Sequence, residues 1–342
     1  MEIIRASELW EKAGAYYVRI QAMARKHNIP LRQEFDEHDG PGTRYVVALD
    51  EGFPAATARM YETGADSVMI GRVVVLPEYR HRGIGTMVIR ECEAWALEEG
   101  YRKSVVESRD NKTEFYLKMG YRFCGSKPIL GETFRCIRME KALRRTLVFY
   151  GDSNTWGYDP ADMEDGRYPE EACWTSITAK NLGERFEVIP EGQNGRRLPV
   201  VTRGHAYLDG LVAKVKDGGI LCTMLGTNDV LGLSLPDASG PVRRMQEYLA
   251  YLTRELSPEQ ILIIAPVPSG SPDLPDPYLQ AAYAESRKMN DAFRRLSGEA
   301  GVLFADAADW NVSLAYDHIH FSAEGHRTFA GEMSRLIKEL TQ

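Results

Sequence analysis

The chain has 342 residues, 44% hydrophobic and 27% charged, a balance ordinary for a globular protein, and it exceeds one typical core of about 150 residues, so two domains are expected. Its net charge of -7 is unevenly spread: residues 1–145 hold 24 Lys+Arg against 21 Asp+Glu, leaving 18 against 28 for the remainder. The mildly basic front suits an anionic small ligand but lacks the basic tract of a nucleic-acid binder. Met1-Glu2-Ile3-Ile4-Arg5 has no apolar signal core, and no stretch reaches the roughly 20 apolar residues of a membrane span, so a cytoplasmic protein with neither nucleic-acid nor membrane partners is expected.

Strands are predicted over 44–50, 54–61 and 67–76, the last rich in β-branched residues. From Gly83 the apolar positions Ile84, Val88, Cys92 and Trp95 recur at helical spacing until Gly100, a C-terminal cap. A strand over 103–107, a helix over 111–119 and strands near 121–126 and 133–140 complete a mixed α/β unit ending near Glu140. The five cysteines, Cys92, Cys124, Cys136, Cys173 and Cys222, form no C-x-x-C pair and are odd in number, which favours free thiols over disulfides or zinc.

The chemistry-bearing run of this unit is RVVVLPEYRHRGIG, residues 72–85. Its glycines let backbone approach a ligand closely, successive amides can cradle a phosphate, and the following helix presents its positive end. A dinucleotide fingerprint would need a third glycine at Val88, and a P-loop would need Gly-Lys-Ser/Thr; neither is present. The run resembles motif A of the GNAT acetyltransferases, Arg/Gln-x-x-Gly-x-Gly/Ala, at Arg80 to Gly85, and FYLKMGY, residues 115–121, is similar to that family's later helix and strand. The resemblance implies that the amides of Arg82, Gly83, Ile84 and Gly85, with Arg80, bind the pyrophosphate of acetyl-CoA or another short acyl-CoA. It further implies that Val73 to Val75 pair with the pantetheine arm. Tyr116 matches the tyrosine that protonates the departing thiolate, or is a core aromatic. Many relatives carry a strand glutamate where this chain has Gly71, which leaves Glu62, Glu107 or a water as the base.

Residues 141–145 contain no Gly or Pro and form too short a linker to let the domains roam; boundaries at 1–143 and 144–342 are expected. From Thr146 the pattern restarts with Leu147-Val148-Phe149-Tyr150 and continues with apolar runs at 186–189, 219–224, 260–265 and 302–305. Strands separated by helix-length segments predict a parallel, three-layer α/β/α domain.

The first of these strands runs into Gly151-Asp152-Ser153-Asn154-Thr155-Trp156-Gly157. Ser153 alone reads as a helix N-cap, but a serine opening a helix after a buried strand also sits where amides and the helix dipole serve a developing anion. A serine needs a positioned base. His320 would be that base, with Asp317 holding its Nδ1; His318 is a rival that adjoins Asp317 too closely to curl back easily, and a metal site at Asp317, His318 and His320 lacks further ligands. After the strand at 219–224, Gly226-Thr227-Asn228-Asp229 places an amide side chain at a strand's carboxyl end, and Glu191-Gly192-Gln193-Asn194-Gly195-Arg196 places a glycine near another. Each segment alone is also an ordinary polar turn.

In this order the four segments resemble the SGNH (GDSL) hydrolase family over about 146–340, and 151–157, Cys173-Trp174 and 191–197 look like its arylesterase and acyltransferase branch. The resemblance implies that Ser153 is the nucleophile, that its own amide, the Gly195 amide and the Asn228 side chain form the oxyanion hole, and that Asp317 and His320 complete a triad. Trp156 would wall a short acyl pocket or sit in the core. Asn154 stands where the family's name motif has Leu, a difference expected to be tolerated. Loops 158–172, 231–242 and 266–277 would shape the site. The chain is thus expected to join an acyl-CoA N-acyltransferase to a serine esterase, acting on an amine acceptor and a small acyl ester, with no metal. In the alternative the front domain is a CoA sensor or docking module. The oligomeric state stays open.

Overall fold

A computed structural model describes residues 1–125, 128–130, 134–162, 166–201, 205–232 and 235–341. Positions 126 and 133 of two expected strands, and 163–165 and 233–234 of two expected site loops, lie outside them. The chain divides into two compact units, Met1–Arg144 and Arg145–Gln342.

In the first unit the elements run β1 (Glu2–Arg5), α1 (Leu9–Arg19) continuing into a π-helical turn at Ile20–Arg25, α2 (Leu31–Glu34), β2 (Arg44–Asp50), β3 (Phe53–Gly64) and β4 (Ser67–Val75). They continue with α3 (Ile84–Glu98), β5 (Lys103–Arg109), α4 (Thr113–Leu117), β6 (Arg122–Phe123), β7 (Ile129–Leu130) and β8 (Arg135–Ala142). The sheet order is β1-β2-β3-β4-β5-β8-β6, with β7 also paired to β8. Every pairing is antiparallel except β4 with β5.

That exception shapes the unit. Only Ser67, Val68 and Met69 pair with Lys103, Ser104 and Val105, after which β4 and β5 part and leave backbone groups of β4 facing an opening. A register shift between β3 and β4 places Arg72 at φ 49, re-aiming the strand beside the gap. One sheet face packs Val46, Ala58, Met60 and Ile70 against Ile84, Val88 and Cys92 of α3. On the other, Tyr45, Val47 and Leu49 pack against Ala15 of α1, and Val74 and Leu76 against Val18 and Ala22.

This second face also buries charge. Arg19, 0% exposed, pairs with Glu34 at 2.8 Å and with Asp39, while Arg59 reaches Asp36 at 2.6 Å and Asp39 at 2.8 Å. Arg72 reaches Asp36 at 3.0 Å, and the Tyr45 hydroxyl donates to Asp39. These bonds tie the segment after α2 to β2, β3 and β4. Residues 1–43, in which no element is predicted, contain β1, α1 and α2. Their helical period is obscured because Leu9, Trp10 and Tyr17 are exposed while Arg19 is buried.

Two residues, Leu143 and Arg144, separate β8 from β9 (Arg145–Gly151). Then follow α5 (Ser153–Trp156), α6 (Trp174–Leu182), β10 (Phe186–Gly192), α7 (Ala206–Val215), β11 (Ile220–Met224) and α8 (Thr227–Leu231). The unit ends with α9 (Ser239–Glu255), β12 (Ile261–Ala265), α10 (Pro277–Ala300), β13 (Leu303–Asp306) and α11 (Ala323–Leu340). The sheet is wholly parallel in the order β10-β9-β11-β12-β13. Its strands lie at the predicted positions because, covered on both faces, they read as continuous apolar runs. Leu211, Met245 and Phe293 of α7, α9 and α10 cover one face, and Trp174, Phe329 and Met333 of α6 and α11 the other. The result is a three-layer α/β/α domain, preceded by a mixed α/β domain. All five cysteines are free, and among the described residues no helix is long and apolar enough to cross a membrane.

The buried charge network yields an acid-stability prediction. Burial alone would raise the Asp39 carboxyl, but hydrogen bonds from Arg19 and Tyr45 and the charge of Arg59 hold it well below its ordinary value; Asp36 is likewise lowered, chiefly by Arg59 and Arg72 against burial. The unfolded chain therefore binds protons first, so this stabilisation is present above the ordinary Asp value of about 3.9 and is lost as pH falls below it. Hydrogen-exchange protection of 44–60 should hold from pH 7 to about 5 and drop as pH is taken below about 4. Asp39→Asn should cost about 3 kcal/mol at pH 7 and flatten that drop.

Candidate functional site

In the rear unit, β9 is the strand whose neighbours were laid down in opposite directions: the chain passes to β10 through α6 on one face and returns to β11 through α7 on the other. The crevice at the carboxyl end of such a strand is where open α/β sheets bind ligands. Ser153 stands there, 7% exposed, as the first residue of α5. The turn is tight: a Cβ on Gly151 would lie 2.0 Å from Thr155 Oγ1, and one on Gly192 of β10 would lie 2.2 Å from the Trp156 amide nitrogen. Asp152 caps α5 by accepting the Asn154 amide at 3.0 Å. α5 has four residues and ends at Gly157, φ 94, so its dipole is far smaller than the sequence reading of a full helix implied.

His320 Nε2 lies 3.0 Å from Ser153 Oγ, and His320 Nδ1 lies 2.6 Å from Asp317 Oδ2. The other Asp317 oxygen accepts the amides of Ile319 and His320, each at 3.0 Å. Burial works to raise the Asp317 carboxyl, but the His320 side chain and these amides outweigh it and hold it below its ordinary value. His318, the rival base, occupies a left-handed turn position at φ 58, and its carbonyl accepts the Gly270 amide at 2.7 Å. The ring of Tyr158 covers His320, with centroids 4.4 Å apart. Among the described residues no group of three or more His, Cys, Asp or Glu is placed to hold a metal.

Asn154 does more than fill the Leu position of the motif. Its Oδ1 accepts the Phe321 amide at 2.8 Å and its Nδ2 donates to the Ile319 carbonyl at 3.2 Å. These bonds clamp both neighbours of His320 to the residue after Ser153. The sequence shows this residue only as a departure from the motif that is expected to be tolerated, and its bonds to 319 and 321 have no local signal.

Gly195 is exposed at φ 72, in the turn closed by the Arg196 amide on Gln193 O at 3.2 Å; a Cβ there would meet nothing within 4 Å, so the space beside it is open. Asn228, in the first turn of α8, donates one Nδ2 hydrogen to the Arg196 carbonyl at 3.0 Å, which binds the two turns together. Arg196 anchors the pair, donating to Gly151 O at 2.9 Å and to Glu191 O, with its guanidinium 4.7 Å from the Tyr150 ring centroid. Buried Asp229 takes the Leu198 amide at 2.9 Å and pairs with Arg244. Beneath these turns burial pushes the Asp152 carboxyl up to about 7, against the Asn154 amide and the charge of Arg196. Trp156 is half-buried under the Arg167 guanidinium, at 5.0 Å, and with Asp159, Asp162, Arg167, Tyr168 and Pro169 lines an open cavity of about 680 Å³.

In the front unit, Val73 and Val75 lie on the part of β4 that β5 does not pair, and Arg80, Arg82, Gly83, Ile84 and Gly85 lead into α3. Gly83 takes φ 76 as the N-cap of this fifteen-residue helix, whose first amides have no partner within the helix. Arg80 Nε donates to Val75 O at 3.0 Å, fastening the loop to the strand. Tyr116 packs edge-on to Phe115 and Tyr121, and burial pushes its hydroxyl up to about 12. Of the two carboxylates considered as base, Glu62 lies beside the stretch of β4 that is still paired with β5. It lies opposite Val68, where the Tyr101 hydroxyl and Arg44 hold it below its ordinary value. Glu107 lies on β5 beyond the last β4–β5 pair, its charge felt by Tyr61 of β3 and Cys136 of β8.

Comparison with known proteins agrees with this two-part structure. Residues 149–328 match the GDSL-like lipase/acylhydrolase family and residues 7–121 the acetyltransferase (GNAT) family. The N-acetyltransferase YjcF of Bacillus subtilis (strain 168), named as uncharacterized, is 24% identical over 41% of this chain and 99% of its own length. Est24, a carbohydrate acetylesterase from Sinorhizobium meliloti, is 24% identical, covering 58% of this chain and all of that one, with a TM-score of 0.48. The aryl esterase of M. smegmatis is 23% identical, covering 57% and 99%, also at a TM-score of 0.48. The chain belongs to the GDSL-like lipase/acylhydrolase family and carries, earlier in its sequence, a domain of the acetyltransferase (GNAT) family.

Proposed function

We propose that the chain is a bifunctional enzyme, a serine esterase acting on small acyl esters joined to an acyl-CoA-dependent N-acyltransferase. The observation that carries the first half is the continuous hydrogen-bonded line from Ser153 through His320 to Asp317, at 3.0 and 2.6 Å. Neutral His320 Nε2 takes the Ser153 proton as Oγ attacks the acyl carbonyl, and the Asp317 carboxylate stabilises the imidazolium so formed. The oxyanion is met by the Ser153 and Gly195 amides and by the Nδ2 hydrogen of Asn228 not engaged by Arg196. His320 then returns the proton to the leaving alkoxide, and water releases the acyl group by the reverse steps.

For the second half, the β4–β5 opening offers edge groups at Val73 and Val75 to a pantetheine chain, and the loop from Arg80 to Gly85 offers amides to a pyrophosphate. Glu107 takes the amine proton, directly or through a water, and the Tyr116 hydroxyl supplies the proton for the departing thiolate.

Two experiments test the esterase. Ser153→Ala should cut p-nitrophenyl acetate hydrolysis about a thousandfold or more with unchanged circular dichroism; undiminished turnover in that variant removes the nucleophile assignment. Asn154→Leu should lower kcat about tenfold with KM little changed, because the clamp positions His320 without lining the substrate; a rate equal to wild type shows that the clamp is dispensable. For the transferase, calorimetry should show one acetyl-CoA per chain, and Tyr116→Phe should slow CoA release with an amine present while leaving that affinity intact. Esterase activity without any acetyl-CoA binding would leave the front domain a docking module.

A further inference from the structure

One feature of the front domain is not explained by acyl-CoA binding. Arg109 ends β5 on the sheet face that carries α1 and α2, two residues from Glu107 and therefore on the same side of the strand. It is half-buried, with its guanidinium 3.4 Å from the Phe134 ring centroid and Nη2 3.2 Å from Met23 Sδ. Among the described residues no carboxylate lies within ion-pair distance of it. Burial pushes the guanidinium down from its ordinary value. Its neighbours are differently placed: Arg19, Arg59 and Arg72 on this face are each ion-paired with Glu34, Asp36 or Asp39. A half-buried arginine fork without an acid is a cost unless an anion from outside completes it.

Glu107 is exposed and has no cation partner among the described residues, although Arg138 stands opposite it on β8. This carboxylate and guanidinium, neither with an ionic partner among the described residues, lie on one face about 7 Å apart along the strand, beyond the last β4–β5 pair. Tyr116 lies near enough to feel the charge of Arg109 and of Cys136, the residue opposite Arg109 on β8.

We infer that the amine acceptor of this domain is a free amino acid, its carboxylate held by Arg109 and its amine directed to Glu107. The inference rests on the transferase reading above and names its substrate class. A head group bearing both charges spans the two side chains with a hydrogen bond of about 3 Å at each end. The ammonium gives a proton to Glu107, the nitrogen forms a bond to the thioester carbonyl, the carbon–sulfur bond breaks with its electron pair on sulfur, and Tyr116 protonates the thiolate. The second nitrogen proton passes, directly or through water, to the Tyr116 phenolate, which leaves an N-acyl amino acid, free CoA and a restored hydroxyl.

The test uses the full chain carrying Ser153→Ala, so that thioester cleavage in the rear domain does not contribute to CoA release. Acetyl-CoA is offered with a panel of amino acids, each beside its α-carboxamide. The amino acid should be preferred about tenfold or more in kcat/KM. Arg109→Gln should erase that preference by raising KM, Arg109→Lys should keep part of it, and acetyl-CoA affinity by calorimetry should be unchanged in both. Equal turnover of carboxamides, or a preference that survives Arg109→Gln, overturns the inference and leaves the transferase intact. Acetyl-CoA binding with no turnover of any amine overturns the transferase reading itself, and this inference with it. Should Arg109→Gln lose acetyl-CoA binding through misfolding, the wild-type comparison of acid with carboxamide still decides.

Discussion

A hydroxyl becomes a nucleophile at neutral pH only if a base is held within hydrogen-bond reach of it, and here that 3.0 Å contact joins residues 167 positions apart. The rear domain is arranged around this constraint. Gly151 and Gly192 sit side by side in register at the ends of β9 and β10, and neither tolerates a Cβ. Their absence of side chains lets α5 begin directly on the sheet edge, which brings Ser153 to the crevice. The opposite partner is a loop, and a loop needs fastening. Asp317 fastens it from within, through two amides and the ring nitrogen, and Asn154 fastens it to the serine's own turn.

The same principle extends to the neighbouring turns. The turns at Gly195 and Asn228 are exposed or half-exposed, yet Arg196, Asp229 and Arg244 knit them to the ends of β9 and β10 and to α9. Polar groups buried in this way are stabilising only when satisfied. Most are; among the described residues one Asp152 oxygen and the Thr155 hydroxyl have no partner, and burial pushes the Asp152 carboxyl up to about 7.

The rear site was largely legible because its parts are short local signals. Ser153, Gly195, Asn228 and the pair Asp317 and His320 each follow a strand end, and the parallel strands are continuous apolar runs. What escaped was the supporting chemistry, since Asn154, Arg196 and Asp229 act through backbone groups of remote segments that no local pattern encodes. The front domain was harder. Its strands from β2 to β5 were readable, but α1 hides its period behind exposed Leu9, Trp10 and Tyr17 and buried Arg19, and the short β6 and β7 carry almost no signal. Two candidate bases looked equivalent in sequence because only the strand register places Glu62 beside the paired part of β4 and Glu107 beyond it.

The two domains meet one requirement by different routes. Each must leave polar backbone groups unpaired at a defined place without exposing a sheet edge to aggregation. In the rear domain the strands end together, and short turns after β9, β10 and β11 supply the free groups. In the front domain the strands do not end; β4 and β5 separate after three residue pairs, and the bulge at Arg72 helps turn β4 away. A gap within a sheet must be held open, because parting strands gain hydrogen bonds by closing. The buried network of Arg19, Arg59 and Arg72 with Glu34, Asp36 and Asp39 braces β2, β3 and β4 as one slab, and Arg109 beyond the gap takes no part in it. The charges on one side are ion-paired and hold the wall, whereas Arg109 on the other has no ionic partner among the described residues.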